Sequence, residues 1–250
     1  MKKNRNFFML AAGIGLLFVL SPFLPGVADA LGENSPVFLP FLEKQQIAPE
    51  PTPTEEPPKG VMVLDNHFAY TTPWDSLHIN GEVLNNTSNH LTLVKIIANL
   101  FNSQAKLVAT EFTYVNLDNL PAGEKTCFDL IFLDVPADWQ SYDFEQPTYW
   151  TDGKPFPKLT VLNESSRYIS TTGSYEILGQ VRNDHGAIVK YVQPVGTLYN
   201  SSGTVIGCDF TYVQSTDLDD GQVSAFDLSF SSRSYSDAAS YRLQVDGWTE

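Results

Sequence analysis

The feature that most constrains this chain is that it repeats. Sliding the sequence against itself by 98 residues superimposes 64–132 on 162–230 without a gap, and about 21 of the 69 positions are identical. Ile79-x-Gly81-x-Val83-x-Asn85 returns as Ile177-x-Gly179-x-Val181-x-Asn183. Leu100, Asn102 and Ser103 return as Leu198, Asn200 and Ser201, and Phe112-Thr113-Tyr114-Val115 returns as Phe210-Thr211-Tyr212-Val213. Leu120, Gly123, Phe128-Asp129-Leu130 and Phe132 answer to Leu218, Gly221, Phe226-Asp227-Leu228 and Phe230. Beyond Phe132 the copies slip by one residue, Ser141-Tyr142 matching Ser240-Tyr241. Whatever the fold, it must be built twice, over about 61–152 and about 156–250. The copies are joined by a short connection stiffened by Pro155 and Pro157.

The periodicity inside each copy is two. In Ile79, Gly81, Val83 and in Phe128, Leu130, Phe132 the small or apolar residues take every second place, with His78, Asn80, Glu82 and Asp129 between them. No window carries apolar residues at helical spacing with caps, and β-branched and aromatic residues crowd the periodic segments. Asn200-Ser201-Ser202-Gly203 is a hairpin turn between two such runs. The first copy has Ala105 where the second has Gly203, so its turn is expected to be looser. Pro121-Ala122-Gly123-Glu124 marks a second turn. Roughly seven short strands per copy fit an all-β chain of two tandem immunoglobulin- or fibronectin-like β-sandwich domains. Pro194, inside a strand, is expected at an edge or a bulge. Trp139, Tyr142 and Tyr241 are expected to plug the cores.

Gly-x-Val-x-Asn, an apolar strand ending Leu-aromatic-Asn, a turn, and Leu-x-x-Gly-x-x-x-x-Phe together resemble the FxLYD domain, an immunoglobulin-like module of bacterial and archaeal surface proteins. The naming motif stands here as Ala98-Asn99-Leu100-Phe101-Asn102 and Gly196-Thr197-Leu198-Tyr199-Asn200, without the leading Phe and with Asn for Asp. The resemblance implies an extracytoplasmic, non-catalytic module and brings no site residues with it.

The N-terminus agrees. Lys2, Lys3 and Arg5 precede an apolar run over 7–20, Pro22 and Pro25 follow, and Ala28-Asp29-Ala30 is an A-x-A cleavage signal, so 1–30 reads as a signal peptide. The competing reading is an uncleaved membrane anchor, because 7–24 approaches bilayer-spanning length. Residues 31–60 hold seven prolines, among them Pro49, Pro51, Pro53, Pro57 and Pro58, interspersed with glutamates, and read as a disordered, extended stalk. The apolar cluster at 37–42 interrupts it.

The whole chain carries a formal charge of -14, and without its first thirty residues about -16, which repels phosphate backbones and excludes nucleic acid as a partner. Export places Cys127 and Cys208 in an oxidising compartment. Their counterparts in the other copy are Ala225 and Thr110, so they belong to no repeated framework. A bridge would require the copies to pack face to face, and the expectation is that the two do not pair.

Catalytic signatures are missing: the chain has no H-E-x-x-H, G-x-S-x-G, Walker or C-x-x-C pattern, and its four histidines lack metal-ligand spacing. No enzyme and no cofactor are expected. Asp217, Asp219 and Asp220 form one carboxylate cluster, a weak Ca²⁺ candidate better read as a solvated turn. Asn85, Asn163 and Asn200 open N-glycosylation-type triplets, and turn formation is the simpler reading of Asn85 and Asn183. The leading expectation is a non-catalytic, exported spacer or interaction module whose partner is a cell-envelope protein or glycan. The alternative is a carbohydrate- or ligand-binding surface protein that uses Trp74, Tyr149, Trp150 and Trp248.

Overall fold

The computed structural model describes residues 60–151, 156–215 and 217–249. The expected signal segment, almost all of the proline-rich stretch and most of the connection between the copies lie outside them. The described residues contain fifteen strands, no helix, and only antiparallel pairings. No helix among them is long and apolar enough to cross a membrane.

In the first copy one sheet is centred on β3 (Leu77–Asn85), with β1 (Val61–Val63) and β2 (Phe68–Thr71) along one edge and β7 (Lys125–Phe132) along the other. The other sheet is centred on β4 (Leu91–Asn102). It pairs with β5 (Leu107–Tyr114), the two-residue β6 (Asn119–Leu120), β8 (Trp139–Phe144) and β9 (Thr148–Thr151). The second copy repeats the plan with fewer breaks. One sheet runs β10 (Leu159–Ile169), β11 (Ser174–Asn183), β14 (Val223–Phe230); the other runs β13 (Val205–Phe210), β12 (Lys190–Asn200), β15 (Ala238–Trp248). The first copy thus holds nine strands, several of them short, and the second six, against roughly seven expected in each; the second copy adds the single bridge Val189–Leu218.

The alternating residues bury between the two sheets of each copy. Ile79, Val83, Ile96, Leu100, Phe128, Leu130 and Phe132 form one core; Ile177, Val181, Leu198, Ile206, Phe226, Leu228 and Phe230 form the other. Trp139 and Tyr142 pack against the first and Tyr241 against the second, partly buried, as expected of core plugs.

The repeated motif residues explain one another. Phe128 sits opposite Gly81, and a β-carbon at Gly81 would lie 2.6 Å from its ring; at Gly179 the distance to the Phe226 ring would be 2.7 Å. The glycine is the floor on which the phenylalanine rests. Two residues after the valine, fully buried Asn85 closes the loops at that end: its amide donates to the carbonyls of Asn89, Leu120 and Pro121, and its oxygen accepts the Thr87 N–H. Asn183 does the same with Ala187, Leu218 and His185. Turn formation is therefore the role of both, and an Asn85 amide bound to three carbonyls has no place for a glycan.

The turn at Ala105 is not looser. Ala105 takes φ +56°, Gly203 takes +78°, and both turns close with matching N–H···O bonds, Ala105 to Asn102 at 2.9 Å and Gly203 to Asn200 at 3.0 Å. The same geometry is kept with the wrong residue, at a cost in strain. Pro194 lies in β12, the central strand of its sheet, so the edge reading fails. The bulge reading holds, since the register with β15 shifts between Lys190 and Gln193, next to it.

The cysteines overturn the reading from the repeat. Cys127 and Cys208 form a disulfide, with α-carbons 5.7 Å apart and 81 residues between them in sequence. The physical reason is that the outer face of the β13–β12–β15 sheet lies on the outer face of the sheet containing β3 and β7, which makes the two copies one compact unit. Two faces that solvate a lone sandwich here bury each other.

Candidate functional site

The densest constellation of polar and ionisable groups is this junction between the copies. Its floor is an apolar patch of Leu117, Val195 and the bridged Cys127 and Cys208. Beside it Glu82, fully buried, accepts from the Lys125 ammonium (2.7 Å), the Asn66 amide (2.8 Å) and the Tyr199 hydroxyl (2.6 Å). A buried carboxylate with three donors is a paired charge, costly to break but not a reactive one. Burial, followed by the bond to Glu82, pushes the Tyr199 phenol far above its ordinary range.

At one end of the junction Arg242 donates to the Glu124 carboxylate and the Lys125 carbonyl, which also receives the Gln244 amide. Nearby, Asp246 is 2 % exposed and accepts the backbone N–H of Asn119 at 2.7 Å and that of Gly247 at 2.7 Å. Burial outweighs these bonds and pushes its carboxyl up to about 6. At the other end the Arg233 guanidinium lies over the rings of Phe68, Tyr70 and Tyr235 at 5.2–5.6 Å, and the Tyr70 hydroxyl meets Ser232 Oγ at 2.7 Å. Phe68 itself packs into the second copy's core. Beside this end, Asp129 accepts from Asn80 at 2.6 Å and from His78 at 2.9 Å. Most of these groups pair with one another, although Asn66 Oδ1, Arg233 Nε and Gln244 Oε1 are buried without a hydrogen-bond partner, and the junction is a mortise rather than a pocket.

The four aromatics singled out as ligand contacts are all exposed, but they do not form one strip. Trp74, 81 % exposed, caps the β2–β3 turn, where Thr72 and Ser76 bond to each other and Asp75 takes φ +62°. Tyr149 and Trp150 are neighbours on β9, and Trp150 pairs with Thr92 near the opposite end of β3. The nine residues of β3 separate the two places by roughly 25–30 Å. Trp248, at the end of β15, donates to Asp118 of the first copy and so belongs to the junction.

Asp217, Asp219 and Asp220 do not converge. Asp217 accepts the Tyr191 N–H, Asp220 accepts the Gly186 N–H, and Asp219 opens a turn to Gln222. Among the described residues no three His, Cys, Asp or Glu side chains are placed to hold a metal ion.

A shallow cleft of about 480 Å³ lies along the edge of the first copy, lined by Asp65, His67, Tyr142, Asp143 and Glu145 among others. His67 and the Tyr142 hydroxyl bond at 2.7 Å; burial lowers the imidazole and raises the phenol. No serine, threonine or cysteine nucleophile lines it.

A feature not singled out from the sequence as a site is an exposed aromatic pair on each copy. Phe112 and Tyr114 meet edge to face at 6.1 Å, and Phe210 and Tyr212 at 5.9 Å, all between 42 and 52 % exposed. Lys95 covers the Phe112 ring at 3.9 Å. The identical Phe-Thr-Tyr was visible as repeat, and its alternation on an edge strand was the available signal for exposure.

The fold and these groups define an all-β chain of antiparallel sheets stacked in pairs and clasped across a disulfide. No family model and no curated protein matches it. Among solved structures it is similar to the exo-chitosanase CsxA of Amycolatopsis orientalis, at 12% identity and TM-score 0.26 over 73% of this chain and 25% of that one. It is also similar to red sea bream transglutaminase, at 10% identity and TM-score 0.22 over 74% and 29%. The chain spans about a quarter of the length of the first of these. At such scores the likeness carries no argument about fold detail or activity.

Proposed function

We propose that this chain is an exported, non-catalytic protein at or near the cell surface. In this reading two immunoglobulin-like sandwiches of the FxLYD kind form a single stiff spacer and interaction unit, carried on the proline-rich stretch at 31–60. The observation that carries it is the Cys127–Cys208 bridge, set among Leu117 and Val195 and joining the two copies. A structural disulfide of this kind belongs to an oxidising compartment, where the N-terminal signal would deliver it. It also removes the freedom that a short connection alone would leave between two modules, which suits a spacer.

The test is to fuse residues 1–60 to alkaline phosphatase, which is active only once exported, and to count thiols in the chain isolated from its own cell envelope. An active reporter and no free thiol are expected. A silent reporter with two free thiols in the native protein overturns the reading. Glycan binding is the second reading, favoured by the exposure of Trp74 and Trp150 at 81 and 72 %. Screening the full-length chain on a glycan array separates the two: saturable binding lost in Trp150→Ala supports the second.

A further inference from the structure

The two copies show what the outer face of the sheet centred on β4 or β12 is for. In the second copy that face is covered by the first, and Val195, Thr197 and Val205 on it are 1, 1 and 0 % exposed. In the first copy the same face is open: Leu107, the counterpart of Val205, is 50 % exposed, and Thr110, the counterpart of the buried Cys208, is exposed. Conversely, the outer face of β3 and β7 is covered, with Asn80, Glu82 and Cys127 at 1 % or less, while its counterpart on β11 and β14 is open and shows Val223 at 42 %. Each molecule therefore has one used and one unused face of each kind.

The unused faces carry other residues at the positions that meet across the junction. Where the junction pairs Glu82 with Tyr199, the open faces carry Gln180 and Phe101, so neither leaves a buried charge or hydroxyl in want of a partner. The Glu124–Arg242 ion pair becomes Gln222 and Asp143, and the acid gained on one side meets an acid lost on the other. Cys127 and Cys208 become Ala225 and Thr110.

We infer that the outer face of the β5–β4–β8 sheet docks a second copy of this chain, through the outer face of that copy's β10–β11–β14 sheet. This names the partner of the interaction unit proposed above and rests on that reading only for its place in the cell. Each molecule that docks leaves the same two faces free at the ends of the assembly. The contact is heterologous and grows into a head-to-tail row. Within the chain the junction is helped by its tether and its bridge, whereas between molecules association costs translational and rotational freedom. The row therefore forms at high local concentration and dissolves on dilution.

The register can be trapped. Thr110→Cys and Ala225→Cys, made in separate full-length oxidised chains, place thiols where Cys208 and Cys127 stand in the junction. Mixed and oxidised gently, they are expected to give a disulfide-linked dimer whose bridging peptides join 110 to 225, several-fold above an exposed control, Thr71→Cys, mixed with Ala225→Cys. Adding Leu107→Glu to the Thr110→Cys chain is expected to abolish the excess. Peptide mapping of the native bridge checks that each variant is folded. Cross-linking no better than the control, or unmoved by Leu107→Glu, overturns the inference. So does a glycan that binds the monomer and is lost in Leu107→Glu. None of these outcomes touches the phosphatase reporter, so self-docking and export stand or fall separately.

Discussion

Replacing Cys127 by Ala and Cys208 by Thr puts the other copy's residue type at each bridged position and removes one covalent bond at small steric cost. The bridge closes a loop with a sequence separation of 81. In the chain-entropy account a loop of that length restricts the unfolded ensemble by about 4.5 kcal/mol at 25 °C. An unfolded chain that is already compact reduces this, so the expected loss is about 3–4 kcal/mol. The junction also keeps Glu82 with its three donors and Arg242 with its two acceptors, so the variant still folds as one unit. Urea unfolding followed by tryptophan fluorescence reads the change as a lower midpoint, and thermal unfolding as a drop of roughly 10 °C. The wild type in reductant should approach the variant, and the variant should ignore reductant. A loss under about 1 kcal/mol would refute the reasoning, because the bridge would then be tying together segments already held close in the unfolded chain.

Three other perturbations probe separate features. Ala105→Gly relieves a left-handed residue in a turn whose geometry already matches the Gly203 turn, and it should stabilise by about 0.5–1 kcal/mol in the same urea assay. Glu82→Ala leaves a lysine, a phenol and an amide facing an empty acceptor position, and it should cost about 3–5 kcal/mol. Asp246 sets a pH dependence. Its folded carboxyl is raised to about 6 from an ordinary 3.8, so the folded state holds the proton more tightly than the unfolded one. The stabilisation from that proton is complete below about pH 4 and is lost as pH rises through about 6, with an upper bound of about 3 kcal/mol. Asp246→Asn should flatten this part of the stability profile and raise stability at pH 7.5 relative to wild type; an unchanged slope between pH 4 and 6.5 would show that another group carries it.

The parts of the fold that were legible are those where one residue forces another within a copy. Gly81 needs the Phe128 ring above it, Asn85 needs the Leu120-to-Gly123 loop around it, and both pairs recur at a spacing of 98, so the repeat exposed them. Alternation likewise identified the buried faces of β3 and β7. The polar residues between them, His78, Asn80 and Glu82, give no sign of what covers them, because burial here is relative to a neighbour: Glu82 is fully buried and bonds to Tyr199, a residue 117 positions away in the other copy.

The loops at Asp217 to Asp220 and at Ala105 differ in sequence from their counterparts in the other copy. The loops turn out to be the conserved part in geometry: Ala105 accepts strain to keep the Gly203 turn, and the aspartates bind backbone N–H groups in a turn that matches the one at Gly123. The informative differences sit on outward positions on or beside the strands, where Glu82, Cys127 and Glu124 differ from Gln180, Ala225 and Gln222, while the inward Gly81, Val83 and Phe128 are shared with Gly179, Val181 and Phe226. A repeat whose inward residues agree and whose outward residues diverge in matched pairs has one core design and two kinds of surface. In a sequence of this type the outward mismatches mark the interface, and Cys127 standing opposite an alanine in the repeat is a sign of a contact made between the copies.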